Sequence, residues 1–423
     1  MLQRMRIVGG ARLEGEIAIS GAKNLALPAL AAALLTDAPV ILSNVPRLCD
    51  INSMLCLLDF IGCDIAHRDA HTLEIMLKDT KCTEAPYDFV RKMRASILVL
   101  GPLVARFGHA KVSLPGGCAI GARDVDLHIK ALELMGAKIE LDGGYINAIA
   151  AKGLCGCDIS FPIVTVTGTE NVLMAAVLAS GQTRIINAAM EPEVVAFCDL
   201  LNRMGAKISG QGTSVLVVDG VKTLGGAEFD ISPDRIEAGT YAIAAAVTGG
   251  RIRLKNCRYD DLTVFFDTLR ETGVCCERNR GDVIVSRGEH DIRPCDVNTA
   301  PYPGFPTDLQ AQYCVLMSVC SGAAAVTETI FENRFMHIPE LARMGATISV
   351  HGKTALITGV KKLIGAPVMA TDLRASVSLI LAGLIADGET IVNRIYHLDR
   401  GYETLEQKLS SCGANIQRMA GQR

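Results

Sequence analysis

A short phrase recurs six times along the 423-residue chain and constrains its fold more than any other feature. Each copy has a leucine, two or three further residues, a glycine, an alanine or another small residue, one more residue and then an isoleucine, as in LELMGAKI, LNRMGAKI and LARMGATI. The intervals between the glycines are 74, 69, 68, 72 and 68 residues, and the glycines are Gly62, Gly136, Gly205, Gly273, Gly345 and Gly413. A period near 70 predicts six copies of one supersecondary unit. The fourth copy is degenerate, because Val274, Cys275 and Cys276 replace its Ala-x-Ile.

The residues around each glycine predict the same local structure in every copy. The leucine lies on the last turn of an amphipathic helix, and the glycine ends that helix in the left-handed conformation, where it has no Cβ penalty. Two short strands follow, and a second helix that is apolar on most faces, such as NVLMAAVLA or SVSLILAGLIA, lies upstream. Helices of that kind are buried. Each unit is therefore predicted as strand, helix, strand, helix, strand, strand.

The two ends of the chain are expected to meet. The sixth copy lacks its return strand, and residues 4–8 (RMRIV) supply a candidate, so residues 1 to about 20 are expected to complete the last unit. Two similar segments, around Ser20-Gly21 and Ser232-Pro233, are expected to cross between two lobes. The predicted lobes are residues 21–232 and residues 1–20 plus 233–423. A cleft between lobes is a preferred place for a ligand.

Composition excludes several classes of protein. The chain has 42 basic and 45 acidic residues, a net charge of -3, and lacks the overall basic character of a nucleic-acid binder. It has no tryptophan and 4% aromatic residues, which argues against a base-stacking surface. Its apolar runs, such as residues 377–386, are about half the length of a membrane span. The fifteen cysteines are scattered without a CxxC pair, and no apolar leader is present, which favours reduced thiols in the cytoplasm and no structural zinc.

Three segments break the repeat and are candidates for chemistry. Lys23, in SGAKN at a predicted helix start, either helps to bind an anion or is a solvated lysine. Cys118, in a glycine-rich insertion over residues 114–128, is either a reactive thiol near Arg123, acting as nucleophile or acid, or an incidental exposed cysteine. Asp308 follows three prolines at the start of a predicted helix, where it is either a helix cap or a catalytic carboxylate. Asp372 stands at a similar junction.

Basic residues are spread over both predicted lobes. Arg94, Arg334 and Arg400, taken alone, are each predicted to be a surface charge. Together with Lys23, Arg123 and Arg374 they would bind a phosphate or carboxylate compound if all six converged. The sequence has no Walker motif, HExxH, GxSxG or cluster of metal ligands. These absences argue against P-loop ATP chemistry, metal-assisted hydrolysis and serine hydrolysis.

These segments, taken in order, resemble the enolpyruvyl transferases. The matching stretches run from residue 20 to residue 403: SGAKN, MRAS, LPGGCAIGAR with VDLH, GAKISGQGT, PDRIEAGT, FPTDLQAQ, TETIFENRFMH, ATDLRAS and DRGYE. The cysteine loop is the most specific of them and is closest to the branch that acts on UDP-N-acetylglucosamine. The sibling that acts on shikimate 3-phosphate is not expected to carry PGGCAIGAR. The resemblance implies an α/β fold, a two-lobed inside-out α/β barrel of six βαβαββ repeats, three per lobe, with the N-terminal strand completing the C-terminal lobe.

The resemblance also implies an activity. Enzymes of this branch transfer the enolpyruvyl group of phosphoenolpyruvate to the 3-hydroxyl of UDP-N-acetylglucosamine and release phosphate, which is the first committed step of peptidoglycan synthesis in cell-wall growth and division. The reaction is an addition followed by an elimination. The resemblance implies a cytoplasmic monomer with small-molecule substrates, no cofactor, no metal, and no nucleic-acid or membrane partner. A non-catalytic paralogue is the alternative, but such a protein is expected to have lost Cys118, Asp308 or Lys23, and all three are present.

Particular residues receive roles from the resemblance alone. Cys118 would protonate C3 of phosphoenolpyruvate and react with fosfomycin-type inhibitors, Asp308 would be the base near the 3-hydroxyl, and Lys23 completes the catalytic set. Phosphoenolpyruvate would contact Lys23, Asn24, Arg94, Cys118, Arg123 and Arg400. The nucleotide sugar would contact Asn24, Arg94, Arg123, Asp124, Val125, Asp126, Leu127, His128, Thr165, Val166, Thr167, Asp308 and Ile330. Supporting positions would be Arg334, Asp372 and Arg374.

Two positions depart from the pattern of the family. Asp124 stands where some members have a proline directly after the arginine of the cysteine loop, and Ile163 stands where some have a lysine shortly before the sugar-binding turn. Both departures bear on the uridine contacts or on the mobility of the loop. Neither removes a catalytic group.

Overall fold

A computed structural model describes residues 3–91, 93–114, 125–288 and 290–420. Within these residues the helices are α1 (Lys23–Ala32), α2 (Cys49–Ile61), α3 (Tyr87–Val90), α4 (Leu100–Phe107), α5 (Asp126–Leu134), α6 (Val166–Ala176), α7 (Pro192–Arg203), α8 (Arg235–Val247), α9 (Thr263–Glu271), α10 (Gln310–Met317), α11 (Ile338–Arg343), α12 (Leu373–Ile385) and α13 (Leu405–Ser411). Short 3-10 helices cover Ala33–Leu35, Arg94–Val99, Tyr259–Leu262, Thr307–Leu309 and Ile395–Arg400.

The strands of the described residues are short and numerous. They are β1 (Arg4–Val8), β2 (Glu14–Ala18), β3 (Val40–Ser43), β4 (Asp64–His67), β5 (Leu73–Met76), β6 (Glu84–Ala85), β7 (His109–Ser113), β8 (Lys138–Asp142), β9 (Tyr145–Ile149), β10 (Asp158–Ser160), β11 (Gln182–Ile186), β12 (Lys207–Ser209), β13 (Val215–Asp219), β14 (Ala227–Asp230), β15 (Arg251–Lys255), β16 (Cys275–Asn279), β17 (Asp282–Ser286), β18 (Val297–Asn298), β19 (Ala323–Thr327), β20 (Thr347–His351), β21 (Thr354–Thr358), β22 (Pro367–Met369), β23 (Glu389–Asn393) and β24 (Asn415–Met419).

The described residues divide into two compact units. The middle unit contains residues 21–114 and 125–232, and the terminal unit contains residues 3–20 together with the described residues from 233 to 420. Each unit has its own hydrophobic core: the core of the middle unit runs from Ala22 to Ile231, and that of the terminal unit includes Met5 and Ile416. The chain passes from one unit to the other after Ser20 and after Ser232.

Each unit contains three four-stranded sheets with one common topology. The strand orders in the middle unit are β14-β3-β5-β4, β6-β7-β9-β8 and β10-β11-β13-β12, and those in the terminal unit are β2-β15-β17-β16, β18-β19-β21-β20 and β22-β23-β1-β24. In every sheet the first pair is parallel and the other two pairs are antiparallel. Six βαβαββ repeats, three in each unit, are therefore confirmed.

The most apolar helix of each repeat is buried, as the sequence predicts. In the terminal unit α8, α10 and α12 contact one another, and all eight residues of α10 are buried. In the middle unit α4 packs on α6, and both contact the 3-10 helix Arg94–Val99. The strands present alternate residues to these helices, as the burial pattern of β13 illustrates. Helices inside and sheets outside are the inside-out arrangement expected for each lobe.

The six repeat glycines end helices in the left-handed region. Their φ values lie between 89° at Gly345 and 126° at Gly62, a conformation that strains any residue with a Cβ. The degenerate fourth copy keeps this geometry at Gly273, where φ is 94°. Its strand β16 also forms, because Cys276, 1% exposed, takes the inward position that isoleucine occupies in other copies. A cysteine behaves here as a small apolar side chain.

The N-terminal segment serves two repeats, which corrects one expectation. Strand β1 lies antiparallel between β23 and β24, with Met5 opposite Val392 and Arg418, so it completes the sixth repeat as predicted. Residues 14–18 do not belong to that repeat. Strand β2 instead runs parallel to β15 in the fourth repeat, with Ile17 opposite Leu254. The reason is that the fourth repeat needs an outer strand ahead of α8, and the chain enters α8 directly after crossing from the middle unit.

Candidate functional site

Asp308 is the centre of a buried charge cluster in the terminal unit. It lies in the 3-10 helix Thr307–Leu309, before α10. One oxygen, Oδ1, accepts a hydrogen bond from Arg334 Nη2 at 2.7 Å, and Oδ2 accepts one from Arg374 Nη2 at 2.8 Å. No side chain caps this 3-10 helix or α10, so the helix-cap alternative for Asp308 is wrong. The carboxylate instead joins three chain segments.

Arg334 is not a surface charge, which corrects the expectation for that arginine taken alone, and Arg374 is buried as well. They are 5% and 7% exposed, against the exposure usual for arginine. Such burial is tolerated because each guanidinium has a carboxylate oxygen as its partner. The sequence could not show this, since it gives no distance between residues that are 26 and 66 positions away from Asp308.

The two arginines control the protonation of Asp308. Burial alone would raise the pKa of this carboxyl, but the positive charges of Arg374 and Arg334 and the hydrogen bonds they donate outweigh it. The pKa of Asp308 is therefore held well below its usual range. The side chain keeps 26% of its surface exposed, so the charged carboxylate can still be reached from solvent.

Asp372 supports this cluster from the start of α12. Its Oδ1 accepts hydrogen bonds from the backbone N–H groups of Arg374 and Ala375, at 2.8 and 3.0 Å. It is therefore the N-cap of α12, which satisfies two N–H groups that lack partners within the helix. This cap fixes the first turn of α12, and that turn carries Arg374 next to Asp308.

Glu328 is a buried carboxylate that the sequence analysis missed. It is 1% exposed, and its Oε1 accepts hydrogen bonds from Thr299 Oγ1 and from the backbone N–H groups of Ile330 and Phe331. Its Oε2 accepts one from Thr307 Oγ1 at 2.8 Å. Glu328 thereby ties the turn of Ile330 to the residue before Asp308. An acidic residue directly after the apolar strand β19 was the available signal.

Arg400 ends the 3-10 helix Ile395–Arg400 in the same unit and is partly buried. Its neighbour Asp399 accepts two hydrogen bonds from Arg418 on β24, at 2.9 Å to Nη1 and 2.7 Å to Nη2. A bidentate pair of this kind fixes orientation as well as distance. Strand β24 therefore anchors the segment that carries Arg400.

Lys23 forms the corresponding charged feature of the middle unit. It is the first residue of α1, and its Nζ lies 2.6 Å from Asp50 Oδ2. Both side chains are shielded from solvent, with 12% of Lys23 and 4% of Asp50 exposed. Asn24, next in the helix, is partly buried. Lys23 is thus not the solvated lysine of the alternative reading, and Asp50 is a partner that no motif indicated.

The starts of α5 and α6 meet through His128. Its Nδ1 lies 2.9 Å from Asn171 Nδ2, and its Nε2 lies 3.4 Å from Thr167 Oγ1. Asn171 in turn accepts a hydrogen bond from Gly101 N at 2.7 Å. Thr165 caps α6 by accepting a hydrogen bond from Gly168 N. The predicted nucleotide-sugar residues of these two helices therefore lie together, although the His128 ring is itself buried.

His128 is uncharged at neutral pH. Burial, and then the nearby charge of Arg94, lower its pKa to about 4. Arg94 begins the 3-10 helix Arg94–Val99 and is partly buried. The neutral ring can exchange hydrogen bonds with both Thr167 and Asn171 only in a suitable tautomer.

A pH dependence of stability follows from this histidine. The unfolded chain binds a proton at His128 near pH ~6.5 and the folded chain only near 4, so acidification between these values favours unfolding. We expect the free energy of unfolding to fall between pH 7 and pH 4.5, with His128 accounting for roughly 2 kcal/mol. In urea unfolding, His128→Gln should lose less of its free energy of unfolding over this pH range than the wild type, by the amount given for His128. The control His351→Gln, at an exposed site, should match the wild type. An unchanged loss in His128→Gln would contradict the expectation.

The remaining predicted residues divide into two groups. Val125 precedes α5, Asp126 and Leu127 begin it, Val166 begins α6, and Ile330 lies in the Glu328 turn, all partly buried. Ile163, one of the two departures from the family, is 65% exposed. Cys118, Arg123 and Asp124 lie outside the described residues. Across the described ranges no group of histidine, cysteine, aspartate or glutamate side chains is suited to a metal ion.

Comparison with known proteins identifies the class to which this fold belongs. A family model described as EPSP synthase (3-phosphoshikimate 1-carboxyvinyltransferase) matches residues 7–409. The crystal structure of the enolpyruvyl transferase NikO from Streptomyces tendae is similar, with a TM-score of 0.90, 24% identity and coverage of 100% of both chains. The fold is that of the enolpyruvyl transferases, as the sequence motifs predicted.

Two relatives are far more similar in sequence. The UDP-N-acetylglucosamine 1-carboxyvinyltransferase of Granulibacter bethesdensis is 59% identical over 422 residues, covering 99% of this chain and 100% of the relative. The protein of the same name from Acidiphilium cryptum is 58% identical over 418 residues, with 99% and 100% coverage. The chain belongs to the UDP-N-acetylglucosamine 1-carboxyvinyltransferase family. It is an enzyme, a carboxyvinyltransferase.

Proposed function

We propose that this enzyme transfers the enolpyruvyl group of phosphoenolpyruvate to the 3-hydroxyl of UDP-N-acetylglucosamine and releases phosphate. The observation that carries the proposal is the full-length identity of 59% to a relative named for that acceptor. The described charge clusters fit the reaction. In the middle unit the shielded Lys23 is a cationic group of the kind that binds an anion. In the terminal unit Asp308, paired with Arg334 and Arg374, is a carboxylate of the kind that accepts a hydroxyl proton. The step commits its product to peptidoglycan synthesis.

The chemistry assigns one proton transfer to each of two residues. The 3-hydroxyl oxygen forms a bond to C2 of phosphoenolpyruvate while C3 takes a proton, for which Cys118 is the proposed donor. Asp308 is the proposed acceptor of the hydroxyl proton. The product of the addition is a tetrahedral ketal that still carries the phosphate. A proton then leaves C3, the bond from C2 to the phosphate oxygen breaks, and the enol ether and inorganic phosphate remain.

The low pKa of Asp308 is compatible with the proposed role. A weakly basic carboxylate does not deprotonate a free alcohol appreciably, but the hydroxyl becomes strongly acidic while its oxygen bonds to C2. The arginines keep the Asp308 carboxylate ionised and hold it in a fixed orientation. It can therefore accept the hydroxyl proton as the oxygen bonds to C2. Near neutral pH, Asp308 is therefore ionised throughout, and the rate is not expected to vary with its protonation.

The residues proposed to contact the substrates belong to the middle unit and to the Asp308 cluster, with Arg400 in addition. We propose that Lys23, Asn24, Arg94, Arg123 and Arg400 hold the phosphate and carboxylate of phosphoenolpyruvate. The nucleotide sugar is proposed to contact Asn24, Arg94, the segment from Arg123 to His128, the segment from Thr165 to Thr167, Asp308 and Ile330. The packing of α5 against α6 through His128 supports the grouping of the two segments.

A phosphate-release assay tests the proposed function. The purified chain is incubated with phosphoenolpyruvate and either UDP-N-acetylglucosamine or shikimate 3-phosphate, and inorganic phosphate is measured. Release is expected with the nucleotide sugar and not with shikimate 3-phosphate. Release with shikimate 3-phosphate alone would favour the sibling reaction. Binding of the nucleotide sugar without any release of phosphate would favour the non-catalytic alternative. The presence of Lys23 and Asp308 argues against that alternative.

Cys118→Ser provides a second, residue-specific prediction. A hydroxyl is a far weaker acid than a thiol, so we expect kcat to fall about a hundred-fold or more, or the pH profile to move sharply. Cys118 should also be the first thiol modified by fosfomycin, as read by mass spectrometry of peptides. Cys56→Ser, which removes an exposed cysteine on α2, is the control and should keep both activity and labelling. First modification of another cysteine would contradict the assignment.

The place of action and the state of assembly are further proposals. We propose a cytoplasmic monomer that needs no cofactor, takes only small-molecule substrates, and does not act on nucleic acids or membranes. The fourteen cysteines in the described ranges are all free thiols, which supports a reducing compartment. Among the helices described here, none combines the length and the apolar character that crossing a bilayer requires. Analytical ultracentrifugation measures the state of assembly, with sedimentation as one chain expected.

A further inference from the structure

Tyr402 is a buried tyrosine whose hydroxyl meets all three central helices of the terminal unit. It is 2% exposed and lies two residues after Arg400. Its Oη is within hydrogen-bond distance of Thr240 on α8, Gln312 on α10 and Arg374 on α12. Among these four residues only Arg374 received a role from the sequence, although the other three stand in stretches that resemble the family. The position of Tyr402 needs an explanation, because a phenylalanine would fill the same apolar space.

The direction of each hydrogen bond at Tyr402 follows from counting protons. Thr240 has one hydroxyl proton, and its Oγ1 donates to Ile236 O at 2.8 Å. Thr240 can therefore only accept from Tyr402, at 2.9 Å, so the proton of Tyr402 points to α8. The lone pairs of Tyr402 Oη are left for N–H donors. They accept from Arg374 Nη1 at 3.1 Å. Gln312 Nε2 also lies 3.4 Å away, but its two protons have closer acceptors in Asp308 O at 2.9 Å and Thr240 Oγ1 at 3.1 Å.

Arg374 is consequently held at two ends of its guanidinium. Nη1 donates to Tyr402 and Nη2 donates to Asp308 Oδ2 at 2.8 Å. The guanidinium carbon also lies 5.7 Å from the centre of the Tyr402 ring, within the range of a cation–π contact. A planar guanidinium that donates a hydrogen bond from each terminal nitrogen cannot rotate about its Cζ–Nε bond without breaking one of these two hydrogen bonds. The orientation of the Asp308 carboxylate therefore depends on a hydroxyl that does not touch it.

We propose that Tyr402 is a positioning residue for Asp308, acting through the guanidinium of Arg374. The inference rests on the proposed role of Asp308 as the base. Arg334 provides the second hold on the carboxylate, through Oδ1, and does not contact Tyr402 through any described hydrogen bond. Loss of the Tyr402 hydroxyl should thus loosen one of the two contacts and leave the other intact. Substrate binding should be kept while the proton transfer becomes less effective.

Tyr402→Phe is the test, and its first readout needs no turnover. In the wild type, nitrogen-15 NMR of the guanidinium groups should give separate Nη signals for Arg374, assigned by their loss in Arg374→Lys. In Tyr402→Phe the guanidinium rotates more freely, and these signals should broaden or merge. The second readout is kinetic: kcat should fall about ten-fold with the KM of each substrate little changed. A wild type that forms the NMR signals but shows no turnover would overturn the proposed function and leave the positioning of Arg374 measurable.

A matched control separates positioning from general loss of stability. Tyr313→Phe removes an equally buried hydroxyl in the same unit, which donates to Cys295 O at 2.9 Å and lies outside the Arg374 contacts. It should lower the melting temperature without altering the Arg374 signals or kcat. If Tyr402→Phe does not fold, Thr240→Val removes the acceptor of the Tyr402 proton and should produce a smaller change in the same direction. Unchanged Arg374 signals in the folded variants would overturn the inference.

Discussion

Asp308→Asn is expected to lower kcat by about a hundred-fold to ten-thousand-fold, which is the usual contribution of a positioned acid or base. The amide keeps the size of the carboxylate but cannot take the hydroxyl proton. It also leaves Arg334 and Arg374, 4% and 8% exposed at their side chains, without the charge that balances them. We therefore expect a loss of about 3 kcal/mol in the free energy of unfolding, measured by urea at pH 7.

The acid side of the stability curve provides an independent check. The pKa of Asp308 is held low in the folded chain, so its ion pairs contribute fully above the unfolded pKa near ~4 and are lost as the pH falls below it. Asp308→Asn should lack this acid-side loss. The control is Asp282→Asn, on β17 of the same unit. Asp282 Oδ2 lies 2.6 Å from Arg253 Nη2, and the substitution removes this ion pair. It should cost stability and leave kcat unchanged. Wild-type turnover in Asp308→Asn would remove Asp308 from the mechanism.

Asp50→Asn is expected to affect both stability and the binding of phosphoenolpyruvate. Lys23 and Asp50 form a shielded pair at 2.6 Å, and removing one partner of such a pair typically costs about 3 to 5 kcal/mol. The ammonium of Lys23 also loses the group that directs it. We expect the KM for phosphoenolpyruvate to rise about ten-fold, with a smaller change for the nucleotide sugar. Steady-state kinetics with one substrate varied at a time measures both.

The chain offers a close control for Asp50→Asn. Glu237 and Lys408 form another shielded carboxylate–lysine pair, at 2.7 Å, in the terminal unit. Glu237 also accepts a hydrogen bond from Ser20 N at 2.7 Å, next to the crossing of the chain. Glu237→Gln should lose stability to a similar extent without raising the KM for phosphoenolpyruvate selectively. An equal rise of that KM in both variants would show that Asp50 acts only through stability.

The repeat could be predicted from the sequence because each copy depends on local backbone conformation, which particular residue types favour. A residue in the left-handed region after a helix is usually glycine, so Gly62 and its five counterparts mark the helix ends directly. The burial of the Ala-rich helices also follows from their composition. The membership of β2 could not be predicted, because the choice between the fourth and the sixth repeat depends on the path of the chain through the middle unit.

The site was only partly predictable for a different physical reason. Lys23 and Asp308 were found because they break the repeat, and motif resemblance supplied their proposed roles. Their partners Asp50 and Glu328 stand in segments that look ordinary, and their importance lies in contacts across long sequence separations. The burial of Arg334 and Arg374 could not be predicted, because a charged residue is usually exposed unless it is paired. The sequence does not show which distant residues form ion pairs.

The placement of β1, β2 and β14 has a consequence for the order in which the chain can fold during synthesis. The middle unit has all its described strands once Asp230 has left the ribosome, when β14 can pair with β3. Strand β1 is among the first residues made, yet its partners β23 and β24 follow nearly 400 residues later. The middle unit is therefore expected to fold while β1 is still without β23 and β24, and before β2 can pair with β15. Pulse-labelled nascent chains should acquire protease resistance first in the described residues between 21 and 114 and between 125 and 232.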